Sequence, residues 1–469
     1  MTMTPQLIVE HVLATARRQA GHHDCVVTVG VESGAELRWA NNGLTTNGTS
    51  WCTTISVVAF VAKSDGISTA TLDGVCDNLD GAGLDDIVVR AFAEARSNPV
   101  PTGHGVLATG VEIGDWSSPA RMTGPADFSS LTPALGEMFG QARAHEYEHF
   151  GYAENSQSSG WVGSNNGIRI RHDAVSGRVE MTGRSTDRTR STWEGRNCRD
   201  FSTLDLSNVH NLLHQRLEWQ KHHVAMPAGR YDTVLPSGAV GDLMATLDAA
   251  LDARSAHEGR SVFSAAPDSG RNSRIGDVLS SVPVRLYSDP GYKGLEVPNV
   301  VVETVNWANG SVFDTGQISQ TTNWIENGKL ANLTQTRVTV EEGERYTPNM
   351  GNLIMEVDGA SGSIEDLVAG VDNGLLLSSL WYIREVDPSS LLQTGLTRDG
   401  VYVIRNGEII GSTNNFRFNE SALDMLGRIK AAGSTEITQV RENAEQYEDV
   451  AMPPLVVSSF NMSSVSDSL

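Results

Sequence analysis

Apolar and polar residues follow two different periods along the first part of the chain. Residues 5–21 repeat apolar positions at helical spacing and end on Gly21, which predicts an opening helix. Residues 25–74 alternate apolar and polar positions between Gly-containing turn signals, which predicts an antiparallel meander of strands and hairpins. Residues 84–99 return to helical spacing, and a segment rich in Pro, Gly and Ser over residues 101–128 predicts a connecting loop.

The same order of elements recurs further along the chain. Residues 131–148 predict a second helix that leads into another strand series over residues 150–185. An amphipathic helix is predicted over residues 204–223. A helix followed by a meander therefore occurs twice, as a candidate duplicated unit.

Strand and turn signals dominate the second half. Residues 226–259 predict a strand, a turn and a helix, with a Gly259 stop. Two stretches at residues 324–337 and 402–418 each carry Asn-Gly between β-prone residues, and we predict that they are paired hairpins. The Ser-rich tail over residues 456–469 is interpreted as ending either in disorder or in an edge segment.

These patterns together predict an α+β fold. The predicted N-terminal α/β domain spans residues 1–225, combines helices with antiparallel meanders, and divides at about residues 1–125 and 126–225. The predicted C-terminal β-rich domain spans residues 226–469.

Charge and composition narrow the classes of function. The chain has 57 acidic and 35 basic residues and a formal charge of −22, so we expect neither nucleic acid nor a membrane as a partner. The N-terminal segment lacks the features of a signal peptide and no apolar run reaches the length of a membrane span, which predicts a cytoplasmic protein. The widely spaced Cys25, Cys52, Cys76 and Cys198 are predicted to be reduced thiols.

One short motif points to metal chemistry. His145, Glu146 and His149 spell the HExxH string of zinc peptidases, in which a helix places both imidazoles on one face to bind Zn²⁺ while the Glu polarises the bound water. The apolar stripe of the preceding helix, if it continued to His149, would place both histidines on one face. This much favours a metal site.

The sequence after the motif favours a structural interpretation. Gly151 and an alternating pattern follow at once, so the motif falls at a helix end or in the next connection. No downstream third ligand with the usual spacing is evident. We therefore interpret His145 and His149 as helix C-terminal residues that interact favourably with the helix dipole, and keep the metal site as the alternative.

Several segments together resemble a known family. Residues 150–185, 226–244 and, most specifically, 380–421 are similar to the TldD/PmbA family, whose PmbA branch is also called TldE. The resemblance implies an α/β N-terminal part and a β-rich, metallopeptidase-like C-terminal part. It also implies a cytoplasmic zinc-dependent peptidase in which TldD pairs with TldE, associated with cleaving unfolded or leader peptides and with maturing peptide natural products.

The same resemblance locates the family's metal motif. The catalytic subunit carries HExxxH on the helix after the strand that begins at a Pro-Ala-Gly step, here residues 227–229. Aligning that step places the motif's His, Glu and His at Ala245, Thr246 and Ala250, none of which binds zinc. The family's third ligand is a late cysteine, and this chain has none after Cys198. The resemblance thus implies a TldE-type subunit with no catalytic residue and no cofactor of its own.

Three functions follow from these observations. The first is a non-catalytic subunit whose partner, a TldD-like HExxxH-bearing chain, holds the zinc and acts on a peptide substrate. The second is a stand-alone peptide-binding or scaffold protein in a biosynthetic pathway. The third is an autonomous zinc peptidase that uses His145, Glu146 and His149.

Overall fold

A computed structural model describes residues 3–76, 80–340 and 345–466. Its helices are α1 (Pro5–Ala16), α2 (Gly81–Ser97), α3 (Leu131–Ala144), α4 (Leu206–Trp219), α5 (Ser237–Ala249), α6 (Ala253–His257), α7 (Ile364–Ala369) and α8 (Ala422–Leu426). The strands before α5 are β1 (His22–Ala40), β2 (Gly43–Lys63), β3 (Gly66–Val75), β4 (Glu112–Ile113), β5 (Tyr147–Ser164), β6 (Arg169–Ser185), β7 (Ser191–Asn197) and β8 (Gly229–Leu235). The later strands are β9 (Val284–Ser288), β10 (Thr322–Glu326), β11 (Lys329–Leu330), β12 (Asn352–Val357), β13 (Asn373–Asp387), β14 (Leu392–Arg405), β15 (Glu408–Ser412), β16 (Asn415–Ser421), β17 (Ile429–Ala432), β18 (Glu436–Thr438), β19 (Asp449–Met452) and β20 (Leu455–Ser466). The α+β fold class is confirmed.

One sheet contains both predicted meanders. Its strand order is β3-β2-β1-β5-β6-β4, with β7 paired to β6. The long strand β1 lies between β2 and β5 and is antiparallel to both. Helices α1 and α2 pack on one stretch of this sheet around Val27 and Val57, while α3 and α4 pack on another stretch around Leu37 and Trp39. The two helix-plus-meander units thus share a continuous sheet.

The second half of the chain covers the opposite face of that sheet. Val58 and Phe60 of β2 pack there with Val300 and Phe313, and the Phe60 and Phe313 rings meet edge to face at 5.1 Å. Such an apolar contact between aromatic rings favours a fixed placement of the two halves.

The second half is built from two sheets with α5 between them. One sheet has the order β11-β10-β9-β12-β19-β18. In the other, β13, β8, β20, β16 and β14 pair in turn and β14 pairs again with β13, so this ring of strands closes on itself. Leu243, Met244 and Leu247 of α5 are fully buried in a core shared by both sheets. The helix is therefore held from several sides.

Both Asn-Gly turns form hairpins, but the hairpins do not pair with each other. Asn327 and Asn406 adopt positive φ angles of 50° and their following glycines, Gly328 and Gly407, have φ angles of 73° and 78°, as a tight hairpin turn requires. One hairpin is β10–β11 and the other is β14–β15, which belong to different sheets. The prediction of paired hairpins was wrong because turn chemistry encodes a local bend and no distant partner.

The Ser-rich tail is a regular strand up to its last residues, for which alone disorder or an edge segment was predicted. Residues up to Ser466 form β20, which pairs with β8 along one edge and with β16 and β17 along the other. The tail is an interior strand, because Val456, Val457, Phe460 and Met462 supply buried side chains between the serines. Residues 467–469 lie outside the described residues.

No helix within residues 3–76, 80–340 and 345–466 combines the length and the apolar character needed to cross a membrane.

Candidate functional site

The HExxH string straddles a helix end, as predicted. His145 caps the C-terminus of α3, Glu146 follows with a positive φ of 59°, and His149 lies inside β5. The left-handed conformation of Glu146 ends the helix and turns the chain into the strand. His145 and His149 therefore do not share a helix face, which removes the geometry on which an HExxH zinc site depends.

Each of these histidines instead meets a histidine of α4. The Nε2 atom of His149 lies 3.3 Å from the Nδ1 atom of His210, and the His145 ring lies 4.6 Å from the His214 ring. His210 and His214 were not singled out from the sequence, although their spacing of four residues on a predicted helix places both on one face.

Burial keeps part of this histidine cluster neutral. His149 is 1% exposed, and desolvation followed by the nearby His210 lowers the pKa of His149 to about 3. Burial also lowers the pKa of His210 and His214. The interpretation of His149 as a helix C-terminal residue was wrong, because it sits in a strand under the helices. No group of three metal-binding side chains occurs in the part of the chain that the structure describes.

The helix aligned with the family's metal motif is present but carries no ligand. Strand β8 leads directly into α5, and Ala250 follows the last residue of that helix. Ala245 is 1% exposed, and the Thr246 hydroxyl donates to the Leu243 carbonyl at 2.7 Å. Two methyl groups and a hydroxyl bonded within its own helix do not fit Zn²⁺, which needs imidazole, thiolate or carboxylate donors.

Two buried carboxylates of α5 hold a later segment of the chain. Asp242 accepts the backbone N–H groups of Arg441, Glu442 and Asn443 at 2.9–3.1 Å. Burial raises the pKa of Asp242 to about 7, and the three N–H bonds oppose that rise. Asp242, one helical turn before Ala245 and Thr246, therefore anchors residues 441–443 to α5.

Asp248 extends the same anchorage. It accepts hydrogen bonds from the Tyr447 hydroxyl at 2.8 Å and the Asn349 amide at 2.9 Å, and burial raises its pKa to about 6. Tyr447, Ala444 and Ala250 all pack against the core that contains α5. Residues 441–447, which we call the covering segment, therefore pack alongside the positions where the family motif would lie. Neither Asp242 nor Asp248 was singled out from the sequence, because an isolated acidic residue in a helix carries no motif.

A cavity of about 300 Å³ lies where the first sheet meets the second half of the chain. Its walls include residues 175–178 of β6, Cys198 and Arg199, and residues of β18, β19 and the covering segment. Arg199 spans the junction, with ion pairs to Glu296 at 2.8 Å and Asp449 at 3.1 Å. The cavity is mostly apolar with a few charged groups at its walls, which is the usual character of a binding cavity.

The β6 backbone is open beside this cavity. On the edge away from β5, β6 pairs with β4 at Arg169 and Ile170 and with β7 from Arg178 onward. Between those pairings, residues 173–176 have no strand partner on this edge among the described residues, while their other edge pairs with β5. An unpaired edge beside a cavity is the structural requirement for adding an extended peptide as a further strand.

Comparisons with known proteins identify the family. The family model of the PmbA/TldA metallopeptidase C-terminal domain matches residues 228–464. The chain belongs to the PmbA/TldD family. No curated protein matches it in a sequence search.

Solved structures of PmbA/TldD type share its fold along nearly the whole chain. TldE from Thermococcus kodakarensis has a TM-score of 0.73 at 14% identity and covers 97% of this chain and 99% of its own. A protein of Thermotoga maritima described as a candidate modulator of a DNA gyrase has a TM-score of 0.72 at 14% identity, over 97% and 99% of the two chains. A protein of Bacteroides thetaiotaomicron with a similar description has a TM-score of 0.70 at 12% identity, over 97% of each chain.

Proposed function

We propose that this PmbA/TldD-family chain is the non-catalytic, TldE-like subunit of a heteromeric zinc metallopeptidase that cleaves unfolded or leader peptides in the cytoplasm, including the maturation of peptide natural products. The observation that carries the proposal is that α5 is present without metal-binding side chains at the motif positions. The helix is retained, while Ala245, Thr246 and Ala250 offer no metal donor and the covering segment packs beside them. A helix that keeps its place in the fold but lacks the motif's metal ligands is typical of a subunit that retains the family's shape for assembly.

The chain's own part in this complex is to bind the peptide and to complete its chamber. The open edge of β6 at residues 173–176 supplies backbone N–H and C=O groups, and the adjoining cavity accepts side chains. The partner, a TldD-like chain with HExxxH, carries the zinc. Such main-chain recognition tolerates different sequences, which suits an unfolded or leader peptide.

Copurification tests the assignment. A tagged copy expressed in the native host is expected to bring down a chain of the same family that contains HExxxH. Zinc measured by elemental analysis is expected in the complex and not in this chain alone, and peptide hydrolysis is expected only when both chains are present. Recovery of the tagged chain with no HExxxH-bearing partner would favour a stand-alone scaffold protein.

A variant separates the proposal from an autonomous peptidase. His149→Ala is expected to leave zinc content and peptide hydrolysis of the reconstituted complex unchanged, since His149 is buried against His210. One equivalent of zinc in the isolated chain that disappears in this variant would contradict the proposal. His223→Ala, at an exposed histidine outside the cluster, is the matched control.

A further inference from the structure

A second, larger cleft lies at the boundary between the two halves of the molecule. Its volume is about 780 Å³, and it is lined by the turn between β6 and β7, the residues after α4, the β14 segment around Asp399 and the loop between β15 and β16. Cationic side chains dominate its walls: Arg184, Arg188, Arg190, Lys221, Arg398 and Arg441. Asp399 is the one carboxylate among its described lining residues.

This concentration of positive charge contrasts with the whole chain, whose net charge is −22. Like charges at close range repel, so a cluster of cations is retained at a stability cost unless something anionic balances it. The cleft walls also focus the field of these cations into a small volume. The local charge therefore selects a ligand of opposite sign.

The internal carboxylate does not balance the cluster. Asp399 is buried, its Oδ1 atom accepts from the Ser191 hydroxyl at 2.7 Å, and its Oδ2 atom lies 2.7 Å from the Arg441 guanidinium. Arg398 lies at 3.8 Å from the same Oδ2 atom. Both oxygens are thus used inside the wall, and Arg441 is the cation that Asp399 neutralises.

Among the described residues, three arginines of the cleft have no carboxylate at ion-pair distance, and one of them, Arg190, instead donates to the Leu217 carbonyl at 3.0 Å. Within the described ranges, neither Arg184 nor Arg188 has a carboxylate at ion-pair distance, although Asp187 lies between them in sequence. The Asp187 carboxylate is turned to Ser185 and Thr189, with hydrogen bonds of 2.6–3.0 Å. Lys221 is paired with Glu218 at 2.7 Å. Arg184 and Arg188 are therefore the groups free to bind an anion.

The rest of the wall fits carboxylates better than nucleotides. Polar, uncharged side chains such as Thr189, Thr413 and Asn414 line the wall around the arginines. Phe, Tyr and Trp are absent from the described lining, so the imidazole of His223 is the one aromatic ring there on which a nucleobase could stack. The planar guanidinium group binds a carboxylate through two parallel hydrogen bonds.

We propose that this cleft binds an acidic peptide segment through its Glu and Asp carboxylates, with Arg184 and Arg188 as the principal contacts. The cleft volume lies in the range of sites that enclose a ligand of several hundred Å³. The proposal does not depend on the peptidase assignment, because it rests on the charge and geometry of this chain alone.

Fluorescence anisotropy with the isolated full chain tests the proposal. A labelled hexaglutamate peptide is expected to bind, a labelled hexaglutamine peptide of the same length is not, and the affinity is expected to fall as NaCl is raised. In Arg184→Gln/Arg188→Gln the affinity is expected to fall by about 10- to 100-fold, as loss of two charge-assisted contacts implies. The control Arg17→Gln/Lys293→Gln removes the same charge outside the cleft and is expected to change affinity less than about twofold.

Other outcomes overturn the proposal. Equal loss of affinity in the cleft and control variants would show that only net charge matters. Tighter binding of a labelled single-stranded oligonucleotide than of hexaglutamate would assign the cleft to nucleic acid, and displacement of the peptide by millimolar inorganic phosphate would assign it to small anions. Arg188→Gln/Lys221→Gln changes exposed side chains only, so it tests the cleft without disturbing the half-buried Arg184. This variant is expected to weaken binding by about tenfold.

Discussion

The Nε2 atom of His149 on β5 lies 3.3 Å from the Nδ1 atom of His210 on α4, inside the packing between a strand and a helix. Two imidazolium ions at that distance would repel each other in a buried space. At most one of the two imidazoles can therefore be protonated in the folded state. Acid is expected to weaken the packing between α4 and the first sheet.

The pH dependence of stability follows from the lowered pKa of His149. The unfolded residue binds a proton below its ordinary pKa of 6.5, whereas the folded residue does so only near 3. The unfolded state thus gains protons first, and stability is lost as pH falls from 6.5 toward 3. At pH 5 this loss is about 2 kcal/mol. Urea unfolding of the wild type and His149→Gln at pH 7 and pH 5 checks it.

The variant is expected to lose about 2 kcal/mol less than the wild type between those two pH values. His222→Gln, at an exposed position, serves as the control and is expected to follow the wild type. An identical pH slope in wild type and His149→Gln would show that His149 is accessible to protons in the folded state.

Asp242→Asn tests how the covering segment is held. The amide keeps one acceptor oxygen for Glu442 and Asn443, but it places an NH₂ group against the Arg441 N–H, which is left without a partner. We expect a loss of about 1–3 kcal/mol in the free energy of unfolding at pH 8. Asp86→Asn, on the exposed face of α2 where Arg90 pairs with it, is expected to change stability by less than about 0.5 kcal/mol.

Two glycine substitutions are expected to act in opposite directions. Gly407 has a φ of 78°, and an added Cβ would lie 2.6 Å from the Ala369 carbonyl oxygen, so Gly407→Ala is expected to destabilise by more than about 1 kcal/mol. Gly136 lies in α3 with open space around its Cα atom, so Gly136→Ala is expected to stabilise by up to about 1 kcal/mol. Thermal unfolding midpoints measure both, and a lower midpoint for Gly136→Ala would contradict the helix packing described.

The rate at which the Cys198 thiol is modified measures how accessible the cavity beside β6 is to solvent. Burial, with a smaller effect of Asp200, raises the pKa of this thiol to about 12, so little thiolate forms at pH 8. We expect maleimide to modify Cys198 at least tenfold more slowly in the folded chain than in the chain unfolded by guanidinium, as followed by peptide mapping. Equal rates in the two states would mean that the cavity is open to water.

Local signals in the sequence were sufficient to predict many of the turns and element ends of the fold. The Asn-Gly dipeptides at Asn327 and Asn406 dictate their hairpin turns, because few other residues adopt the positive φ angles that those turns need. Gly151 and the change of period predicted that a helix ends near the HExxH string, although α3 ends at Ala144, four residues before the predicted end at residue 148.

Long-range contacts were beyond the reach of these signals. His149 and His210 are 61 positions apart, and Asp242 meets Arg441 across 199 positions. Periodicity describes which face of an element is buried and leaves open which other element covers it. The cationic cleft could not be predicted for the same reason, since Arg188 and Arg398 come from segments that are far apart in the sequence.

The packing around α5 limits what a single substitution could achieve there. Any one substitution at Ala245, Thr246 or Ala250 that adds a metal donor would still lack the other ligands that a zinc site needs. At Ala245 the larger side chain would also enter space that is already filled. A metal site at this helix would therefore require donors at several positions at once, beside a segment that Tyr447 fixes to Asp248.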